Sequence, residues 1–454
     1  MSFGTQNPFT GNPRRRYEYA SEKSVLRAID RLSIGFLSWK ELKPKDRQKK
    51  LFVVADRLQS KKEAFAEIIT LEMGKPLKES LAEIEKCRAT IVRACSSNLD
   101  FLNPRVVTGS LVSVVTHEPV GVIYSIMPWN YPFWQVIRMA IPALLAGNTI
   151  LLKHSEITPV SAMAIQEIFE GVFDFPVLLN EFIRHDMTDF VLVNSKVGGV
   201  SLTGSVNAGR NVYANAARYF KKAVLELGGS DPYIVCDDAD LNSSAQKLAK
   251  GRLLNCGQSC ISVKRILVHK KVLEAFLKLL IAEVESYSFG DPIESTAELG
   301  PLAHTRFKDS LSLQVQSLKE NTTAKLIYSK SHNQSPESAF FDVQIYLVES
   351  NSRWLANQEF FGPIFLVFPF ESENEAIQIA NATDFGLAGG VFSKDLKRAK
   401  KIAGAIEAGQ VAVNEVIISD LSLPFGGTKN SGLGRELGDE SYFEFTQTKV
   451  VSSL

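Results

Sequence analysis

Two of the chain's five cysteines fall in "NCGQSC", residues 255–260, where a thiol can attack, bind metal, pair or simply pack. Metal is not expected: the spacing is C-x3-C, no second cysteine pair follows, and none of the six histidines is near in sequence. A disulfide framework is not expected either. Cys87, Cys95, Cys236, Cys256 and Cys260 are few and odd in number, the usage of a reducing cytoplasm. Packing alone suits Cys87 and Cys95, which lie in a helically patterned segment. A nucleophilic thiol needs surroundings that favour the thiolate, and a donor aimed where charge develops on an attacked carbonyl oxygen.

The chain offers both a donor and a base. "IMPWNYPFWQ" (126–135) follows an apolar run and puts Asn130 on an aromatic-rich turn, where its amide suits an oxyanion. "LELGG" (225–229) puts Glu226 at a strand end ahead of two glycines, a placement suited to a general base beside a crevice. Each also reads as an ordinary turn or strand end when taken alone.

The elements that would hold these residues alternate between strand and helix. A helix is expected over 46–73 on the spacing of Leu51, Val54, Leu58, Phe65, Ile68 and Leu71, stopped by Gly74 and Pro76, and a second over 77–102. "RVVTGSLVSVVTHEP" (105–119) predicts a hairpin turning at Gly109 and Ser110. From Val120 onward, "VGVIYSIMP", "NTILLKH", "GVSLTG", "KAVLELGG" and "PYIVC" read as strands, with "KRILVH", "PIFLVFPF", "GGVFS" and "GQVAVN" after Cys260. Helical stretches separate them, the pattern of a mostly parallel, doubly wound α/β fold. At 454 residues the chain exceeds one core. A net charge of +1 gives no pull toward nucleic acid or membrane, and the "RRR" at 14–16 reads as solvated. No apolar run approaches the ~20 residues of a membrane helix, and no signal-like segment opens the chain.

Taken in order, "PWNYPF", "LLKHSE", "LTGSVNAG", "LELGG", "GQSC", "NQEFFGPI" and "PFGGTKNSGLGRELG" resemble the motif set of the NAD(P)-dependent aldehyde dehydrogenase superfamily. The resemblance runs from about Glu41 nearly to the C-terminus and is greatest to short bacterial succinate-semialdehyde dehydrogenases. It implies Cys260 as nucleophile, with Cys256 outside the catalytic set. It further implies Asn130 and the Cys260 N–H as the oxyanion hole and Glu226 as the base that hydrolyses a thioester. Gly204 and Ser205 would receive a pyrophosphate at a helix start. Trp129 and Lys153 would line the adenosine side, and Leu227, Glu359 and Phe361 the nicotinamide side. Glu156 would accept hydrogen bonds from the adenosine ribose and repel a 2′-phosphate, so NAD is expected over NADP. Its alternative role is to cap the helix opening near Thr158.

Arg138, eight residues beyond Asn130, matches an arginine that contacts the substrate carboxylate in succinate-semialdehyde dehydrogenases. If Asn130 opens a helix, the two share a face. Leu254 stands where some of that group carry a second arginine, and Arg252 is two positions off. Trp134 and Phe425, with Tyr131, supply an apolar lining. Succinate semialdehyde is therefore the expected substrate, with a medium-chain or aromatic aldehyde as the alternative. A CoA-acylating enzyme and a non-enzymatic scaffold fit less well, because Asn130, Glu226 and Cys260 are all present. Gln447 occupies the tail position where many relatives carry a possible relay glutamate, and no role is assigned to it. Four residues from Cys260, Cys256 has packing as its expected role and a reversible disulfide as its alternative.

The resemblance implies two Rossmann-like domains and an arm: 1–104 and 120–228 for cofactor, with 419–435 returning to it, and 229–418 for catalysis. Residues 105–119 and 436–454 form the small β arm for oligomerisation, giving a homodimer or homotetramer.

Overall fold

The computed structural model describes residues 1–109, 111–349 and 352–453. Ser110, half of the expected hairpin turn, lies outside them. Two large sheets organise the chain. The six-stranded sheet runs in the order Gly432–Leu433, Lys222–Glu226, Val197–Thr203, Val122–Met127, Thr149–His154, Leu178–Asn180. It is parallel except for its antiparallel edge strand Gly432–Leu433. The seven-stranded sheet places Pro232–Val235 between Arg265–His269 and Ala388–Phe392, and only its edge strand Lys325–Lys330 is antiparallel. The expected α/β class with two doubly wound sheets is what the structure has.

Alternation explains why both faces of the six-stranded sheet are buried. Ile123, Ile150 and Leu152 enter one core with Trp39, Leu51, Phe65 and Ile137. Val122, Tyr124 and Leu151 enter the opposite one with Ile29, Val191 and Val212. Two further cores flank the seven-stranded sheet. Five residues, 227–231, separate Glu226 from Pro232, so the carboxyl end of one sheet's strand leads directly to the amino end of the other's.

Some expected bounds shift. The helix expected over 46–73 is two, Pro44–Ser60 and Lys62–Met73, broken at Lys61 (φ −119°, ψ 18°). The break rotates the second helix, so Phe65, Ala66, Ile69 and Met73 are buried while Ile68 and Leu71 are only partly so. Gly74 ends it in the left-handed region, as its position predicted. The next helix stops at Ser96, and a separate 3-10 turn covers Asp100–Leu102. The 105–119 segment pairs as Arg105–Thr108 with Val112–Pro119, and the tail strand Thr446–Ser453 joins them in a three-stranded sheet. Among the described residues, no helix is long and apolar enough to cross a membrane.

Candidate active site

The loop ahead of Cys260 is a run of left-handed backbone: Asn255 (φ 53°), Cys256 (φ 52°) and Gly257 (φ 75°). Left-handed φ is uncommon for cysteine, and here neighbours hold it in place. The Asn255 N–H donates to Glu79 Oε2 at 2.8 Å and its Nδ2 donates to the Asn130 carbonyl at 2.8 Å. Gln258 Nε2 returns a bond to the Asn255 carbonyl at 3.1 Å, and its Oε1 accepts the Ala303 N–H at 2.9 Å. Gly257 lies against the Gly362 carbonyl, where a Cβ has no room. The turn sends the two thiols to different places. Cys256 is buried in the core of the seven-stranded sheet with Leu302, Leu311 and Phe360, whereas Cys260 is half-buried against the core on the Asn130 side. That separation favours packing as the role of Cys256.

Asn130 precedes its helix rather than opening it; the helix is Pro132–Leu145. The N-terminus of that helix is capped from a distance. Glu83 Oε1 accepts the N–H groups of Phe133 (2.9 Å) and Trp134 (3.0 Å), and its other oxygen pairs with buried Lys75. Lys75 in turn sits 3.7 Å from the Tyr131 ring centroid. Asn130 Nδ2 donates to the Gln258 carbonyl at 3.0 Å, which aims the amide at the nucleophile loop and leaves one of its two N–H groups for another acceptor. The indole of Trp134, on the first turn, carries Lys86 Nζ 4.3 Å from its centroid.

Four charged side chains surround the thiol. Burial pushes Cys260 up to about 12; Arg138 and Lys264 pull it down, while Glu226 and Glu359 push it further up. Lys264 is buried, donates to the carbonyls of Ser259 (3.2 Å) and Cys260, and pairs with Glu359 at 3.1 Å. Glu359 Oε1 also accepts the Gly229 N–H at 3.1 Å; its carboxylate fits only because Gly228 has no side chain. Glu226 is buried at its strand end against Gly426, and neither of its oxygens has a hydrogen-bond partner. Burial, reinforced by the nearby Glu436 carboxylate, raises it well above the usual carboxylate range. Arg138 forms a buried ion pair with Glu436 and lies 4.6 Å from the Phe425 centroid; its Nη2 has no hydrogen-bond partner. Its guanidinium is therefore shared with a protein carboxylate, which the sequence did not predict. Arg252 is turned away, donating to Ser262 Oγ (3.1 Å) and the Phe360 carbonyl (2.6 Å).

Trp129 and the pair Gly204–Ser205 follow the two strands that flank the topological switch of the six-stranded sheet. There Val122–Met127 and Val197–Thr203 are neighbours and their chains leave in opposite directions, the crevice in which such folds bind dinucleotides. At Gly204 a Cβ would meet only the Leu202 side chain at ordinary contact distance, and Ser205 caps the helix Val206–Arg218 through Oγ, accepting the Ala208 N–H at 3.3 Å. That capped helix start fits a pyrophosphate. Leu227 turns its side chain into the core against Gly209, leaving only backbone for contact. Trp129 stacks on Phe307 (4.6 Å) and meets Phe361 edge-on (5.8 Å). Lys153 is buried, which lowers it to about 8, with Glu156 opposing that shift. Glu156 is not the helix cap: Glu72 takes that role, accepting Val160 N–H at 2.7 Å and Ser161 N–H at 2.9 Å. Glu156 instead lies 3.8 Å from His185 Nε2, and its charge, after burial, helps raise the Tyr19 phenol to about 12.

Sequence reasoning passed over Glu436, Lys264 and Glu83. Glu436 stands inside the quoted "GRELG" motif, so its signal was present, whereas Gln447 lies on the exposed tail strand opposite Glu118. Nothing local marked Glu83, whose target lies 50 residues away.

The comparisons agree with this geometry. The aldehyde dehydrogenase family profile matches residues 2–451. A succinate-semialdehyde dehydrogenase [NADP(+)] of Deinococcus radiodurans is 36% identical over 461 residues, covering 100% of this chain and 95% of its own. The solved succinic semialdehyde dehydrogenase of Streptococcus pyogenes, in complex with NADP+, superposes with a TM-score of 0.95 at 30% identity, covering 99% of each chain. A betaine aldehyde dehydrogenase point mutant of Staphylococcus aureus, in complex with NAD+, reaches the same TM-score and identity, covering 100% of this chain and 94% of its own. With its thiol, amide and carboxylates set between two doubly wound sheets, this chain belongs to the aldehyde dehydrogenase family.

Proposed function

We propose that the protein oxidises an aldehyde carrying a carboxylate at its far end, succinate semialdehyde above all, to the corresponding diacid. The Cys260 sulfur adds to the aldehyde carbon, and the spare N–H of Asn130 with the Cys260 N–H receives the resulting oxyanion. A bound nicotinamide dinucleotide supplies the hydride acceptor. Cys260 then holds a thioester, and Glu226 takes a proton from the water that hydrolyses it, releasing the acid and regenerating the thiol. The observation that carries the substrate reading is the buried Arg138 guanidinium, whose charge pulls down the Cys260 thiol and whose Nη2 has no hydrogen-bond partner among the described residues. The names of the relatives support the same reading.

For the dinucleotide, the proposal is NAD ahead of NADP. Glu156 is free of capping duty, and a carboxylate there suits two ribose hydroxyls and repels a phosphate. The relatives named for NADP(+) stand against this preference, as does Lys153 nearby. A panel of succinate semialdehyde, butanal, hexanal and benzaldehyde, each with NAD and NADP, tests both statements through kcat/KM. The expected result is highest kcat/KM with succinate semialdehyde and NAD, and an NADP/NAD ratio that rises about tenfold in Glu156→Gln. Equal use of uncharged aldehydes would overturn the substrate, and an NADP preference in the wild type would overturn the cofactor. We also propose a reducing cytoplasmic setting, in keeping with five unpaired cysteines, and a homodimer or pair of dimers built through the three-stranded arm.

A further inference from the structure

Lys86 projects from the helix Leu77–Ser96 into the space between Trp134 and the loop before Phe425. Its Nζ lies 4.3 Å from the Trp134 centroid and donates to Ser419 Oγ at 2.5 Å. Among the described residues no carboxylate comes within ion-pair distance of it. This sets it apart from Lys75, held by Glu83, from Lys264, held by Glu359, and from Arg138, held by Glu436. Asp420 is next in sequence to Ser419, but its carboxylate is turned back on its own loop, accepting the Ser422 N–H at 2.7 Å. A largely enclosed ammonium with an aromatic face and a single hydroxyl as partners is a cation short of an anion. Burial, and after it the Arg138 charge, lower it to about 8 against the opposing Cys87, Glu83 and Asp420, so the two cations feel each other.

We infer that Lys86, from outside every motif that marks the site, is the second cation that receives the far carboxylate of the substrate, beside Arg138 Nη2. It stands in for the cation that Leu254 does not supply. Arg138 by itself is a poor anchor because Glu436 already neutralises it; Lys86 restores net positive charge at this end of the pocket. Trp134 beneath it fixes the ammonium and covers the methylene chain of a short semialdehyde. This inference rests on the ω-carboxylate reading above, and the experiment separates the two.

The readout is the ratio of kcat/KM for succinate semialdehyde over butanal, an uncharged aldehyde of the same carbon count. It is measured in the wild type, Lys86→Met, Lys86→Gln and Lys86→Arg. The expected result is a wild-type ratio well above one that falls about tenfold to a hundredfold in Lys86→Met and Lys86→Gln, and that Lys86→Arg largely restores. Lys86→Gln keeps a donor for Ser419 Oγ, so it reads the charge even if Lys86→Met misfolds. Competitive inhibition by succinate compared with butyrate should weaken in parallel. A high wild-type ratio that survives in both neutral variants overturns the role of Lys86 alone. A wild-type ratio near one overturns the ω-carboxylate reading and the role of Lys86 together.

Discussion

At the scale of single residues, the thiol and the base are both held in their protonated forms, Cys260 by burial and Glu226 by burial beside Glu436. Both raised values have the same sign for activity: the thiolate and the carboxylate grow as pH rises. kcat/KM should therefore climb between about pH 7 and pH 9, and a flat or falling profile would contradict the assignment. Lys264 is the residue that moderates this. It pulls the thiol down while tying the carbonyls of Ser259 and Cys260 to Glu359. Replacing it with methionine should slow iodoacetamide labelling of Cys260 about tenfold for each unit the thiol rises, measured at constant pH in the absence of substrate. Faster labelling in Lys264→Met would show that the lysine shields the sulfur rather than favouring its charge.

At the scale of elements, the helix Leu77–Ser96 does more than pack. Glu79 holds the Asn255 N–H, Glu83 caps the helix behind Asn130, and Lys86 reaches Trp134, so one face of it braces both walls of the pocket. Glu79, Glu83 and Lys86 follow the i, i+4, i+7 spacing that puts residues on one helical face. Glu83→Gln keeps an acceptor oxygen for the cap but leaves Lys75 buried without its counter-charge. The expected cost is about 3–5 kcal/mol of stability by denaturant unfolding, with a fall in kcat as Asn130 loosens. Unchanged stability would mean that Lys75 finds water or loses its proton when its partner is gone.

At the scale of the molecule, residues 227–231 join a strand of one sheet to a strand of the other, and Glu226 stands at that junction. Asn130 follows one strand of the first sheet, Glu226 ends another, and Cys260 lies on the approach to the second sheet. The three-stranded arm stands apart, with both faces exposed: the adjacent residues Val450 and Val451 are each 57% exposed although they point to opposite sides. Exposed valines and free strand edges are the surfaces that the proposed second subunit would cover. Val450→Asp with Val451→Asp should shift the protein toward monomer in sedimentation equilibrium, and a wild type that is already monomeric would remove the proposal.

By itself, the sequence determined the α/β class and most strands, because alternation is written in contiguous residues, and it pointed to Cys260, Asn130 and Glu226 through the motifs that hold them. The Lys61 break escaped it, since apolar spacing continues through a one-residue kink that slightly rotates the helical face. Only the tertiary structure decided that Arg138 is shared with Glu436, that Glu72 rather than Glu156 caps its helix, and that Lys86 stands beside Trp134 with no carboxylate partner among the described residues. Each of these is a pairing between residues far apart in the chain. The energy of a buried charge depends on what folding brings within a few ångströms of it, and that distance is not recorded in the order of residues.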